Sequence, residues 1–61
     1  MRDLKGFTAM ITGAGKNIGK DVALAFAKEG ANVIVCDYNE DNAKETAREI
    51  EMLGVEARTA V

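Results

Sequence analysis

The chain has no histidine, no proline and a single cysteine. One thiol cannot close an intrachain disulfide, and without histidine no zinc-type ligand cluster can be assembled, so two common staples of very small domains are missing. Cys36 lies inside an apolar run and reads as a small buried hydrophobe rather than a reactive thiol. Aromatic residues are scarce, and the 8 basic and 10 acidic residues are interspersed to a net charge of -2. No basic stripe emerges, which argues against a nucleic-acid partner. No apolar run, Val33 to Cys36 included, approaches the ~20 residues needed to cross a bilayer as a helix. The N-terminus, Met1 to Gly6, is charged but leads into no apolar stretch of signal-peptide length. The expectation is a soluble, cytoplasmic chain with no membrane partner.

What is present is a regular alternation punctuated by glycine. Residues 7–12, Phe-Thr-Ala-Met-Ile-Thr, form a short apolar run with β-branched residues and read as a strand ending at Gly13. Ile18, Val22, Ala25 and Phe26 then recur at helical spacing, and Gly30 stands where a left-handed C-cap belongs, so a helix is predicted from about Asn17 to Glu29. Residues 31–37 make a second strand, whose unbroken apolar centre suits a strand covered on both faces. Asn39 is the expected N-cap of a second helix, with Glu40 and Asp41 in its first turn and Gly54 after its last. Ala43, Ala47, Ile50 and Leu53 share one face of that helix, while Lys44, Glu45, Arg48, Glu49 and Glu51 fall mainly on the others. Residues 55–61 alternate Val55, Ala57, Thr59 and Val61, as a third strand would.

The order is β-α-β-α-β, which specifies an α/β fold with a parallel sheet. Right-handed crossovers and a strand order of 3-2-1 put both helices on the same face. The other face would then be bare and the first strand would have an open edge. Yet the strands carry apolar residues at both parities: Phe7, Ala9 and Ile11 against Met10, and Val33 and Val35 against Ile34 and Cys36. That pattern anticipates a second layer of helices which these 61 residues do not contain. The expectation is half of a fold.

The glycines after the first strand fall at Gly13, Gly15 and Gly19. The spacing is close to G-x-G-x-x-G but departs from it, because Ile18 occupies the third place. Such a turn binds pyrophosphate by sending the chain sharply from strand into helix, so that free N–H groups and the positive helix end face the anion. Gly13 permits the turn, the small Ala14 and Gly15 permit close approach, and Gly19 permits the helix to pack on the sheet. Asn17 is a residue that accepts positive φ. On the glycines alone, a ligand-free loop remains the alternative. Asp37, closing the second strand, stands where a carboxylate can accept from the adenosine ribose hydroxyls of a dinucleotide. Its alternative reading is a solvated strand end.

Thr12-Gly13-x-x-x-Asn17-Ile18-Gly19 resembles the T-G-x-x-x-G-I-G turn of the short-chain dehydrogenase/reductase family. Leu4-Lys5-Gly6, residues 25–31 and the run from Val33 to Asp37 are also similar to that family, so the likeness spans essentially the whole chain. Asn17 departs from it, replacing the middle glycine of the turn. The resemblance implies the N-terminal part of a dinucleotide-binding, Rossmann-like, doubly wound domain, incomplete over residues 1–61. It implies an NAD(P)-dependent oxidoreductase moving hydride between nicotinamide and a small carbonyl or alcohol substrate, homo-oligomeric when full length. Backbone groups of Lys16, Asn17 and Ile18 would lie near the ribose and pyrophosphate, with Gly13, Gly15 and Gly19 shaping the turn, Asp37 holding the adenosine ribose and Tyr38 beside the adenine.

The family's catalytic Tyr-x-x-x-Lys pair is absent: the only tyrosine is Tyr38, and Asn42 stands four residues later. No catalytic residue is assigned, and the chain alone is expected to be inactive. Two features pull the cofactor preference in opposite directions. The Asp37 carboxylate would repel the additional phosphate of NADP, whereas a basic residue at the position of Lys16 is often associated with NADP in the family. The direct contact at Asp37 favours NAD. Against the oxidoreductase stands a non-catalytic nucleotide-sensing protein on the same fold, because fold does not fix function. A flavin-binding or methyl-transferring Rossmann protein is disfavoured by the glycine spacing and by the pyrophosphate turn itself.

Overall fold

The computed structural model describes residues 4–14 and 17–60, so Gly15, Lys16 and Val61 lie outside the described residues. The elements run β1 (Thr8–Thr12), α1 (Asn17–Lys28), β2 (Asn32–Cys36), α2 (Glu40–Glu51) and β3 (Ala57–Ala60). This is the expected β-α-β-α-β order, each strand shorter by one or more residues than its apolar run. All pairings are parallel and the sheet order is β1-β2-β3, with β2 in the centre. Met10, Ile34 and Arg58 stand side by side in register, as do Ile11, Val35 and Thr59.

Helix α1 packs on β1 and β2, α2 packs on β2 and β3, and the helices touch each other. One cluster forms the core: Ala14, Ala23, Ala27, Val33, Val35, Ala43, Ala47 and Ile50. Val33 and Val35 share one parity of β2 and are fully covered by the helices, while Ile34 and Cys36 on the other parity are only half-buried. Met10 on the uncovered side of β1 keeps 65% of its surface exposed. The bare face expected from the crossover rule is therefore present. Each fully buried Val or Ile side chain contributes about 1.5–3 kcal/mol, so β2 and Ile50 carry much of the stability.

The buried face of α1 differs from the expected one. Ala23 and Ala27, four residues apart, face the sheet, with Leu24 packed beside them. Ile18, Val22 and Phe26 form a parallel stripe about 100° further round the helix, and all three are exposed, Ile18 by 79%. Small residues win the sheet-facing position because they let the helix axis approach closely. With Phe7 and Met10, that larger stripe leaves sizeable apolar side chains in solvent.

Helix α2 begins and ends as its sequence predicts. The Asn39 side chain accepts from the backbone N–H of Asn42, Glu40 and Asp41 lie in the first turn, and Ala43, Ala47 and Ile50 are buried. Thr46 is buried on the same face, which the apolar pattern does not reveal. Lys20 of α1 reaches across to α2, 2.5 Å from a Glu49 oxygen and 3.8 Å from one of Glu45. The hydrogen bond to Glu49 raises the Lys20 pKa above its ordinary 10.5, with both glutamate charges adding to the effect and burial opposing it. At the entry to β3, the Asn32 side chain accepts from the N–H of Glu56.

Candidate cofactor site

The C-terminal ends of parallel strands are where an open α/β sheet leaves a crevice, because the connections diverge there. In this chain Thr12, Gly13, Cys36, Asp37, Tyr38 and Ala60 line an open cavity of about 240 Å³ at that end. All three strands contribute. The chain leaves β1 through Gly13 at φ 66°, a left-handed conformation that a side chain would strain. The N–H of the following Ala14 donates to the carbonyl of Cys36 at 3.0 Å, tying the start of the turn to the end of β2. Ala14 is fully buried.

Gly19 is fixed by contact rather than by conformation. A Cβ added there would overlap the carbonyl of Gly13 and come within 2.7 Å of its carbon and 3.2 Å of Ala14 Cα. Only glycine lets the first turn of α1 sit this close to the end of β1. Asn17 opens α1 with φ 61°, the left-handed conformation for which asparagine is the best substitute for glycine.

The two helix N-termini differ electrostatically. The start of α2 is occupied by its own asparagine cap and two acidic side chains, whereas the first turn of α1 carries no acidic residue. The first N–H groups of any helix lack intrahelical partners and, with the helix dipole, favour an anion. Helix α2 thus caps its own N-terminus, whereas no acidic side chain in the first turn of α1 opposes an anion there.

Asp37 is half-buried, and both its main chain and its side chain are hydrogen-bonded. Its N–H donates to the Ala60 carbonyl at 3.2 Å, and its Oδ1 accepts from the N–H of Asn39 at 2.9 Å. Tyr38 beside it is fully exposed, its ring available as a flat surface.

Of the residues singled out from sequence, Gly13 and Asp37 meet at one cavity, with Tyr38 between its walls. Asn17, Ile18 and Gly19 stand in the first turn of α1 and not in that lining. Gly15 and Lys16 fall outside the described residues. Cys36 was expected in the core. It is instead half-buried and lines the cavity, because its parity on β2 is opposite to that of Val33 and Val35. Thr12, the first residue of the matched turn, lines the same cavity, and Ala60 is a wall residue that only the juxtaposition of strand ends reveals. Among the described residues no group of His, Cys, Asp and Glu could hold a metal ion, and no helix is long and apolar enough to cross a membrane.

Residues 7–61 match the family model described as short chain dehydrogenase, and the chain belongs to that family. It is 50% identical over 54 residues to a 7alpha-hydroxysteroid dehydrogenase of Escherichia coli (strain K12), an alignment covering 88% of this chain and 21% of that protein. It is 47% identical over 51 residues to the short chain dehydrogenase/reductase dpfgG of Gibberella zeae, covering 84% and 19% respectively. Among solved structures, a 7 alpha-hydroxysteroid dehydrogenase complexed with NADH and 7-oxo glycochenodeoxycholic acid superposes with a TM-score of 0.89 at 47% identity, over 93% of this chain and 22% of that one. An NAD+-bound xylitol dehydrogenase gives a TM-score of 0.93 at 36% identity, over 97% and 23%. The chain therefore has the Rossmann fold of these enzymes over its β-α-β-α-β span, and spans about a fifth of the length of the curated relatives it matches.

Proposed function

We propose that this chain forms the adenosine- and pyrophosphate-binding part of an NAD(P)-dependent oxidoreductase that transfers hydride between nicotinamide and a carbonyl or alcohol substrate. The family membership and the relatives named as dehydrogenases support the reaction class. The cofactor supplies the hydride chemistry. What these residues contribute is binding. Gly13 and Gly19 bring the first turn of α1 against the strand end, and the acid-free N-terminus of α1 would present its N–H groups to the pyrophosphate. Tyr38 offers its ring as a surface for the adenine.

The observation that carries the finer reading, NAD over NADP, is the carboxylate of Asp37 fixed at the wall of the cavity that Gly13 also lines. Ribose hydroxyls donate well to a carboxylate, and a 2′-phosphate is repelled by one. The test uses the complete gene product with NADH and NADPH. We expect the higher kcat/KM with NADH, and substitution of Asp37 by Ser to shift the ratio toward NADPH by at least about tenfold, the equivalent of ~1.4 kcal/mol. A wild-type enzyme that favours NADPH strongly would refute the assignment of Asp37.

A further inference from the structure

The acid at the end of β2 does not hold itself in place. Its Oδ1 accepts from the N–H of Asn39, two residues on. Asn39 is in turn immobilised by helix α2: its Oδ1 accepts from Asn42 N–H at 3.0 Å, and its carbonyl accepts from Ala43 N–H at 3.0 Å. Its backbone is extended at φ -89°, ψ 107°, the geometry of an N-cap. Two side-chain-to-backbone hydrogen bonds therefore run in series from the cavity wall into the first turn of α2.

We propose that Asn39 is a positioning residue for the Asp37 carboxylate, so that the N-cap of α2 sets how sharply the site distinguishes NAD from NADP. This rests on the reading of Asp37 given above. The carboxylate discriminates in two ways. Its charge repels a 2′-phosphate over several ångströms and tolerates a loose rotamer. Its acceptance of ribose hydroxyls requires the oxygen to sit within hydrogen-bond reach with good alignment, and so does not tolerate one. Only the second contribution depends on Asn39. Loss of the cap lets residue 39 leave its extended conformation, its N–H leaves Asp37, and NAD loses affinity while NADP, which never gained from the contact, does not.

Most substitutions at an N-cap would also weaken the helix, so the variant must be chosen to separate the two effects. Asn39→Gly serves, because glycine caps within a few tenths of a kcal/mol of asparagine yet removes the side-chain bond and frees the backbone. Asn39→Ser restores a side-chain acceptor and is the rescue. The complete gene product is titrated with NADH and with NADPH by nucleotide fluorescence, with Asp37→Asn measured alongside. Expected for Asn39→Gly is a three- to tenfold rise in Kd for NADH, unchanged Kd for NADPH, near-wild-type thermal stability, and recovery in Asn39→Ser. If Asn39→Gly leaves the NADH to NADPH affinity ratio unchanged while Asp37→Asn moves it, Asn39 does not position the acid and the proposal is wrong, although the role of Asp37 stands. If neither substitution moves the ratio, the assignment of Asp37 falls and takes the proposal with it. An equal loss of affinity for both nucleotides, with lowered stability, identifies a merely structural cap and also overturns it.

Discussion

Replacing Gly19 by alanine sets two physical effects against each other, and they have opposite signs. Gly19 is inside a helix, where alanine is preferred by about 1 kcal/mol, so helix propensity alone makes Gly19→Ala stabilising. The added methyl group, however, overlaps the carbonyl of Gly13. That carbonyl is backbone, and it belongs to a residue already in a left-handed turn, followed by Ala14, which is fully buried and hydrogen-bonded to β2. No flexible side chain can swing aside. To reach ordinary van der Waals separation, the first turn of α1 must retreat by about an ångström or more. Overpacking of this kind costs about 1–3 kcal/mol, and retreat of α1 would also loosen Ala23 and Ala27 against the sheet. Setting the helix gain against the clash and the loosened packing, the expected net is a destabilisation of about 1–2 kcal/mol. Urea unfolding of the complete gene product would show a lower midpoint at unchanged m-value. Affinity for NADH should fall at least about tenfold in the same variant, because the helix N-terminus no longer approaches the strand end. A variant with a raised midpoint and wild-type NADH affinity would show that the close approach of Gly19 to Gly13 is not a constraint, and the account of the turn would fail.

Two further predictions concern the same region and its support. Asn17 at φ 61° should accept glycine with a change of less than about 1 kcal/mol, whereas valine, β-branched in a left-handed conformation, should destabilise by about 1–2 kcal/mol. Equal tolerance of both, by urea midpoint, would remove positive φ as the reason for asparagine. Lys20 has its pKa raised by Glu49 and Glu45, so its contribution is fully present below its ordinary 10.5 and is lost as pH rises through the higher folded-state value. The stability gap between wild type and Lys20→Met should therefore be flat from about pH 7 to about pH 10 and shrink above that. A gap that persists unchanged into strong alkali would assign the effect to packing of the lysine stem rather than to its charge.

The legible part of this fold is the part written in strong local signals. Glycine after the first strand and after each helix, an asparagine followed by two acids, and the unbroken Val-Ile-Val-Cys centre of the second strand locate the elements and give their order. The face of α1 was not legible. Ile18, Val22 and Phe26 dominate any hydrophobic pattern, yet the sheet selects Ala23 and Ala27, because close approach rewards small volume and not transfer energy. Thr46 was hidden for a similar reason: a hydroxyl reads as surface until the packing around it is known. In the site, Gly13 and Asp37 were legible because one bends the chain and the other interrupts an apolar run with a charge. Cys36 and Ala60 carry no such mark. They become wall residues through the adjacency of three strand ends, a property of the sheet register and not of any short stretch of sequence.

The two edges of the sheet carry different chemistry. Strand β3, Ala-Arg-Thr-Ala, sets Arg58 along its outer edge, and a charged residue there discourages a neighbouring chain from docking. Strand β1, Thr-Ala-Met-Ile-Thr, has neither charge nor proline, and Phe7 and Met10 stand exposed along it. An unguarded strand of this composition is a template for another strand. Handled as an isolated polypeptide, the chain is therefore expected to associate strand to strand through β1. A lysine in place of Met10 should raise the concentration at which it remains monomeric.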